Sequence, residues 1–579
     1  MKKYLIIGGV AGGASTAARL RRSDESARII LIERGKFISY ANCGLPYYLG
    51  GIIKERDKLF VQTAKEFGRR FNIDIRTRNE VVRLDSRAKI VTVINLDTGV
   101  EYEETYDKLV LSPGAKPLKP PLPGNDLPGV FNLRNVEDTD QIKEFLLQNK
   151  PEKAIVVGAG YIGIEMVENL HHLCSDVSLV EMADRILPFF DYEMSSALSQ
   201  HIQSKGVRIF LKEKVTMLEQ RGARLMVSLA SGRKLETDML IFATGIRPDT
   251  DWLKDSGLGL SENGSILVDD YLMTNDQHIY ALGDAIQTKH QILDNNVNAY
   301  LAGPASKQGR IVADNIVFGN NKKYKGIIGT AIIKVFDLTA AMTGATEHQL
   351  QRSKKDFLTT VIHTASYAGY YPDAQPISIK LLFSPDKGEI LGVQIIGFMG
   401  VDKRVDVISA FIQKGGKVSD LTEFEHSYAP PYSSARDPLT IAGFVAENMI
   451  NRKFKAVNWS ELEVNNYRQA LLLDVRTPEE FAWGSIPGSI NIPLDDLRDR
   501  FSELPPNRDI VVYCLAGHRG YLACRLLSQK GFDKVYNLAG GYKTYQFAYG
   551  KDDKCEDIYE GETILQDDSI FPEDEAFKS

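Results

Sequence analysis

Cysteine is scarce in this sequence and never paired: Cys43, Cys174, Cys514, Cys524 and Cys555 are widely scattered. Their spacing excludes a disulfide framework, a zinc site and a CxxC redox motif, so each thiol has to be weighed alone and no metal is expected. A stretch of 18 apolar residues is also missing, which leaves nothing to span a membrane as a helix. The start, MKKYLIIGGV, places charge before apolar residues as a signal peptide does, but it runs straight into glycines with no A-x-A site. It reads as a first strand. Excess basic charge is absent as well, since the net charge is -6, and this leaves no electrostatic footprint for nucleic acid. With 43% hydrophobic and 25% charged residues the chain has an ordinary soluble, globular composition. Small-molecule partners and a cytoplasmic location are expected, and 579 residues are too many for one core.

Two segments share one pattern of apolar strand, glycine turn, helix, second strand and terminal carboxylate. They run from KYLIIGGVAGG to IILIERG and from AIVVGAGYIGIE to VSLVEMAD. Both read as βαβ units that bind dinucleotides. In the first, Gly8, Val10 and Gly13 stand at the fingerprint's glycine positions with Val10 replacing the middle one, Ala11 and Gly12 lie between, and Glu33 and Arg34 end the second strand. In the second, Gly158, Gly160 and Gly163 keep strict GxGxxG order around Tyr161 and Ile162, and Glu181 ends the next strand. Such a turn lets the backbone approach a pyrophosphate, while the acidic residue takes ribose hydroxyls. Glu181 would repel a 2'-phosphate and no arginine directly follows it, so NADH is expected rather than NADPH.

With LSPGAKP (Ser112, Gly114), ATGIRP (Gly245) and IYALGDA (Asp284) following in order, the first three-quarters of the chain resembles the pyridine nucleotide-disulfide oxidoreductases. That resemblance implies an FAD domain in two parts, 1–115 and 246–324, around an NAD(P)H domain, 116–245, with Asp284 on the flavin's ribityl chain. Alternating patterns such as SIKLLFS and ILGVQIIG suggest an antiparallel sheet with helices over residues 325–448, the family's dimerisation domain. A homodimer is implied. A linker over 449–460, a small α/β domain over 461–550 and an acidic tail over 551–579 complete the expected organisation. The fold class is therefore α/β with two Rossmann-like domains, an α+β dimerisation domain and a further α/β domain.

Flavin reductases of this kind relay electrons to substrate, many of them through a cysteine pair, and this chain offers only Cys43 in SYANCGLPYYL. Without a neighbouring thiol, Cys43 has to cycle as a mixed disulfide or persulfide, or as a sulfenic acid. The block from Ser39 through Asn42 and Cys43 to Pro46 resembles the active-site segment of coenzyme A-disulfide reductases and NADH-dependent persulfide reductases, with Tyr40 where the usual form has Phe. By that resemblance Ser15, Arg19 and Arg22 on the first helix, Ser39, Asn42 and Arg436 contact coenzyme A. Tyr370 and Tyr428 would reach the partner's cysteine site, where a phenol can protonate a departing thiolate.

The segments DVRTPEEF, GSIPGSINIP and CLAGHR resemble single-domain rhodaneses, with Ser485 where histidine is usual. Cys514 heads a loop leading from a strand into a helix, where backbone N–H groups favour a thiolate able to hold sulfane sulfur, and Arg519 would steady that anion. The expected function is FAD-dependent, NADH-driven reduction of a persulfide, polysulfide, coenzyme A persulfide or coenzyme A disulfide at Cys43, with Cys514 carrying sulfur. The alternatives are an NADH oxidase or peroxidase working through a Cys43 sulfenic acid, and a sulfur-delivery or redox-sensing protein.

Overall fold

The computed structural model describes residues 1–462 and 465–550; the acidic tail and Cys555 lie outside the described residues. By packing, the chain forms two units, one of residues 1–182 and 208–327, the other of 183–207 and 328 onward. No described helix is long and apolar enough to cross a membrane.

Two parallel five-stranded sheets organise the first unit. One has Lys3–Ile7 at its centre, flanked by Arg28–Glu33 and Lys108–Leu111, with Asp74–Thr77 and Ile279–Ala281 at the edges. The other has Lys153–Val157 at its centre, Asp176–Val180 and Met239–Phe242 beside it, and Arg208–Phe210 and Val130–Asn132 outermost. Both central strands are near-continuous apolar runs because helices cover both faces of a parallel sheet. Tyr4, Leu5 and Ile6 are fully buried, as is Val156 in the second. The repeat also extends past the βαβ unit, for each half carries an antiparallel three-stranded excursion. These are Asn79–Asp85, Ile90–Asn95 and Glu101–Thr105 in the first half, and Val215–Arg221, Arg224–Leu229 and Lys234–Thr237 in the second. The strand order reverses direction at each central strand, and ligands of such sheets sit in the crevice at that point, beyond the carboxyl ends.

The second unit joins an antiparallel sheet to a smaller parallel one. The antiparallel sheet runs Ala331–Val335, Leu338–Gly344, Ile390–Gly397, Pro376–Phe383, Leu358–Ala365. The helices Val401–Gln413 and Pro438–Ile450 pack on it. The alternating polar positions of SIKLLFS do not face water, since every residue of Pro376–Phe383 is buried. The polar positions are inside because they have partners there. Lys380 meets Asp191 at 3.0 Å, Glu347 at 3.2 Å and Glu193. Ser378 Oγ lies 2.8 Å from His363 Nδ1, whose Nε2 lies 2.8 Å from Thr544 Oγ1. Burial holds His363 well below the usual histidine range, so it bridges two hydroxyls as a neutral ring.

The parallel sheet orders Lys455–Val457, Val535–Leu538, Ile510–Tyr513, Leu471–Asp474, Ile490–Asn491. Its first strand falls inside the expected linker, since the short apolar stretch around Val457 pairs with Val535–Leu538 and carries the sheet six residues further back than the sequence pattern suggested. The helix Tyr192–Ser204, expected in the NAD(P)H domain by sequence position, packs in this second unit. Gln200 there donates to the carbonyls of Gln546 and Phe547 in the helix Gly541–Tyr549.

Removing the one cation from this group of three carboxylates leaves their charges uncompensated, with only neutral donors such as Gln394 and Thr359 beside them. Lys380→Met is therefore expected to cost about 3–5 kcal/mol, read as a fall in the urea midpoint of the second unit. Breaking the exposed Arg500–Glu503 pair with Arg500→Met leaves that midpoint where it was.

Candidate active site

At the head of the first sheet, close approach dictates the residues. Gly8 has φ 92° and a Cβ there would lie 2.0 Å from the Ser112 carbonyl oxygen; one on Gly13 would lie 1.8 Å from the Gly8 oxygen. Neither position tolerates a side chain. Val10, with φ -92°, needs no glycine, which explains the departure from the fingerprint. Gly12 backs onto Leu282 and Ser112, and Gly309 lets the helix Ala302–Phe318 approach the Gly12 carbonyl. Ala11 begins the helix Ala11–Ser23. Glu33 accepts from the backbone N–H groups of Gly9 and Gly35, both at 2.7 Å; burial pushes its carboxyl up and these two donors oppose the shift. Its neighbour Arg34 is taken by Asp249 at 2.8 Å and Glu80 at 3.3 Å. Gly114, at φ 72°, faces Arg134.

The second nucleotide loop repeats this geometry. A Cβ on Gly158, at φ 104°, would lie 2.4 Å from the Ala243 oxygen, and one on Gly163 1.9 Å from the Gly158 oxygen. Gly160 differs, because a Cβ there meets nothing within 4 Å and opens onto the space a pyrophosphate needs. Tyr161 and Ile162 open the helix Tyr161–His171 half-buried, and burial pushes the Tyr161 phenol up. Glu181 accepts from Ala159 N at 2.6 Å, the counterpart of Gly9 and Glu33. Gly245 turns at φ 101° against Leu118.

Cys43 sits between these loops in the single turn Asn42–Gly44, ahead of the short helix Leu45–Leu49. Ser39, in the left-handed region at φ 48°, brings the segment back onto the glycine turn, its N–H donating to the Gly9 carbonyl at 2.9 Å. Asn42 faces Arg134, its amide nitrogen donating to the Arg134 carbonyl at 2.7 Å and its oxygen accepting from Nη1 at 2.9 Å. Arg134 also reaches Asp284 at 3.2 Å. Burial pushes the Asp284 carboxyl up and Arg134 pulls it back. Cys43 is exposed, yet the protein packed on its other sides pushes its thiol up, as do the Glu165 and Asp284 carboxylates, while Arg134 pulls it down. Arg134, Tyr47 and Glu165 were not among the residues the sequence pointed to. Arg134 precedes a capped helix with no motif around it, and Glu165 stands two residues past the third glycine of its fingerprint.

Of the remaining expected substrate contacts in this unit, Ser15 Oγ lies 3.2 Å from Ser306 Oγ and Arg22 is exposed. Arg19 is bound at 2.6 Å to the buried carboxylate of Asp314, which Lys322 shares. Arg19 and Arg22 were expected on one phosphate-facing side, and only Arg22 lacks such an internal carboxylate.

In the second unit the phenols of Tyr370 and Tyr428 meet at 2.9 Å, both exposed. Cys514 follows the strand Ile510–Tyr513 and is buried, its sulfur accepting from Gly517 N at 3.1 Å at the head of the twelve-residue helix His518–Gln529. That N–H and the positive end of the helix favour an anion on the sulfur. The loop is backed by Tyr542 N on the Cys514 carbonyl at 2.8 Å, and Gly541 leaves room for it. Arg519, expected on the sulfur anion, forms a two-bond fork with Glu480 at 2.7 Å for each bond. A cavity of about 210 Å³ borders this loop, lined by Ala516, Gly517 and His518 on one side and by Arg436, Phe444 and His363 on the other. Arg436 and the Cys514 loop thus share one space.

Two glycine cradles, each closed by a strand-end carboxylate, with Cys43 between them, fit a flavin and nicotinamide oxidoreductase. The cradles, Glu33 and Asp284 fit FAD, and the second loop fits NADH. The chain belongs to the pyridine nucleotide-disulphide oxidoreductase family: residues 2–303 match that family's profile and residues 330–439 its dimerisation domain. Residues 458–548 match the rhodanese-like domain. Among curated relatives, the coenzyme A disulfide reductase of Staphylococcus epidermidis is 34% identical over 77% of this chain and 100% of its own. Among solved structures, the reduced CoADR-RHD protein of Bacillus anthracis is 47% identical over 94% of this chain and 98% of its own, with TM-score 0.92. The NAD-dependent persulfide reductase from A. fulgidus is 36% identical over 94% and 100%, with TM-score 0.87. The protein is an FAD-dependent pyridine nucleotide-disulfide oxidoreductase with a rhodanese domain.

Gly13→Ala, which drives a methyl into the Gly8 carbonyl, is expected to strip flavin absorbance from the purified protein. Gly160→Ala meets no protein atom, so flavin stays bound while the NADH dissociation constant, measured by fluorescence titration, rises about tenfold, or ~1.4 kcal/mol.

Proposed function

We propose that this enzyme reduces a persulfide or polysulfide, with coenzyme A persulfide as the favoured substrate, through Cys43, and that Cys514 supplies the sulfane sulfur. The observation that carries this reading is the pairing, in one chain, of a cysteine with no second thiol near it in sequence and a Cys514 loop whose N–H and helix end favour a sulfur anion. A simple disulfide reductase has no need of a sulfur carrier. The names of the relatives, one a coenzyme A disulfide reductase and one a persulfide reductase, support the same pair of substrate classes.

FAD, when bound, supplies the two-electron link between NADH and the Cys43 linkage. The rest falls to the chain's own residues. The Cys43 thiolate attacks the substrate's sulfur–sulfur bond, and sulfide or free thiol leaves with the bonding pair. The linkage left on Cys43 is then reduced back to the thiolate. Arg134 holds Asn42 and Asp284 beside the cysteine and is its nearby positive charge. Ser15, Arg22 and Ser39 would hold coenzyme A, Arg19 keeping its place through Asp314, and Arg436 would offer a cation beside the Cys514 loop. In a cytoplasmic homodimer the hydrogen-bonded phenols of Tyr370 and Tyr428 would serve the partner's cysteine, one donating a proton to the leaving thiolate while the other orients it.

NADH consumption and sulfide release, followed with coenzyme A persulfide, polysulfide and coenzyme A disulfide, separate the parts. Cys43→Ser is expected to lose at least about 10²-fold in kcat on each. Cys514→Ser should keep reduction of preformed coenzyme A persulfide and lose sulfur uptake from a donor. Full activity of Cys43→Ser on all three substrates would sink the reading. Rapid turnover with oxygen or peroxide and none with polysulfide would replace it with an oxidase working through a sulfenic acid.

A further inference from the structure

The helix Gly541–Tyr549 begins between two distant parts of the chain, and one of them is the Cys514 loop. N–H groups at a helix start have no acceptor within the helix. Here they go to the loop, Tyr542 N to the Cys514 carbonyl at 2.8 Å and Lys543 N to the Leu515 carbonyl at 2.9 Å. Because a peptide unit is planar and trans, a carbonyl turned toward such a donor turns the N–H of the next residue the opposite way. The N–H groups of Leu515 and Ala516 are therefore aimed away from this helix, and the Gly517 N–H meets the Cys514 sulfur at 3.1 Å. How well the loop supports an anion on that sulfur depends on where these peptide units point.

The other part is the antiparallel sheet. His363, in the strand Leu358–Ala365, holds Nε2 2.8 Å from the hydroxyl of Thr544 in the helix's first turn. Its Nδ1 lies 2.8 Å from Ser378 Oγ, directly across on the strand Pro376–Phe383. A neutral imidazole carries one N–H and one lone pair, so a single ring serves both hydroxyls. The Phe547 ring stands at right angles to it, with centroids 5.4 Å apart. None of His363, Ser378 and Thr544 is more than 5% exposed. The turn that starts the helix has no slack either. Gly540 and Gly541 are both left-handed, at φ 68° and 61°. A Cβ on Gly540 would lie 1.9 Å from Thr544 Oγ1 and 3.0 Å from Val361 Cγ1, and one on Gly541 2.4 Å from the Cys514 oxygen. Sheet, turn and sulfur loop thus touch in series.

We propose that His363 is a positioning residue for sulfur carriage at Cys514: its bond to Thr544 fixes the first turn of the helix whose N–H groups orient the Cys514 loop. This role rests on the reading of Cys514 as the sulfur carrier and adds to it a residue from outside the rhodanese-like domain. His363 falls within the stretch matched by the dimerisation domain, while Cys514 and Thr544 fall within the rhodanese match. Its effect on the sulfur passes through Thr544 and then through Tyr542 and Lys543. A phenylalanine at 363 would fill the space and leave two buried hydroxyls without their partner, and a shift of the helix start lets the Thr544 hydroxyl find another acceptor.

The test uses the FAD-loaded full chain with thiosulfate as the sulfur donor. The Cys514 thiolate attacks the outer sulfur, giving Cys514–S–S⁻, and sulfite leaves with the electron pair of the broken sulfur–sulfur bond. Sulfite release and persulfide on the Cys514 peptide are followed together. His363→Phe and Thr544→Val are each expected to lower the rate at saturating thiosulfate about tenfold, with the half-saturating concentration unchanged. Thr544→Ser, which keeps the hydroxyl, should keep the wild-type rate. The double variant His363→Phe with Thr544→Val should be no slower than either single one, since both cut the same connection. Ser378→Ala, which frees one side of the ring, should lower the rate by less. Should the larger changes not fold, Ser378→Ala decides alone: a loss at saturation supports the proposal and a wild-type rate overturns it. Wild-type rates in His363→Phe and Thr544→Val, losses that multiply in the double variant, or a change confined to the half-saturating concentration also overturn it. Sulfite release by Cys514→Ser at the wild-type rate would instead overturn Cys514 as the carrier, a separate result.

Discussion

The structure of the first unit depends on how closely a helix can begin beside the strand that feeds it. A side chain on Gly13 or Gly163 would overlap the carbonyl of Gly8 or Gly158, and it is the missing Cβ that lets each helix start on top of its turn. Once that approach is made, the backbone N–H groups at the turn have to find acceptors. Glu33 and Glu181 provide them from the end of the adjacent strand, at 2.7 and 2.6 Å. The same carboxylates that brace the turn would face a ribose bound there, so a change to one of them would alter loop geometry and nucleotide recognition together. Ser39, bonded to the Gly9 carbonyl, ties the Cys43 segment to the same turn. The position of the reactive sulfur is inherited from the phosphate loop.

What could be read in the amino-acid order was what is local in the chain. The two fingerprints, the terminal glutamates, the Cys43 segment and the Cys514 loop each occupy a short window, and backbone sterics inside that window determine the residue types. What escaped is what depends on partners far away in sequence. Arg134 has no motif, and only the fold brings it to Asn42 and Asp284. Arg19 reads as a phosphate ligand on a helix face until Asp314, 295 residues later, takes its Nε. The strand Pro376–Phe383 alternates as if half-solvated, and its polar positions turn inward because Asp191, Glu193, Glu347 and His363 await them. Periodicity reports which face of a strand is polar and cannot report what lies against it. The early start of the last sheet escaped for a related reason: a three-residue strand carries too little pattern to be seen without its partner.

The two sulfur sites illustrate opposite electrostatic solutions. Cys514 is buried, yet its sulfur is met by an N–H at the positive end of a long helix, so charge on the sulfur is favoured in a place water hardly reaches. Such a site suits a persulfide that has to wait for an acceptor. Cys43 is exposed and its helix is a single short turn, too brief to contribute a comparable field. Around it the carboxylates of Glu165 and Asp284 outnumber the one guanidinium of Arg134, and its thiol is held protonated more firmly than a free cysteine. A thiol reluctant to ionise in the protein's own field is a poor resting nucleophile and, for the same reason, a poor target for stray oxidants. Reactivity at Cys43 is thus conditional on whatever changes the local charge balance. Under the proposed function, storage at one sulfur and conditional attack at the other would be complementary demands, and meeting both in one chain would require two folds, since no single loop can favour and disfavour the same charge.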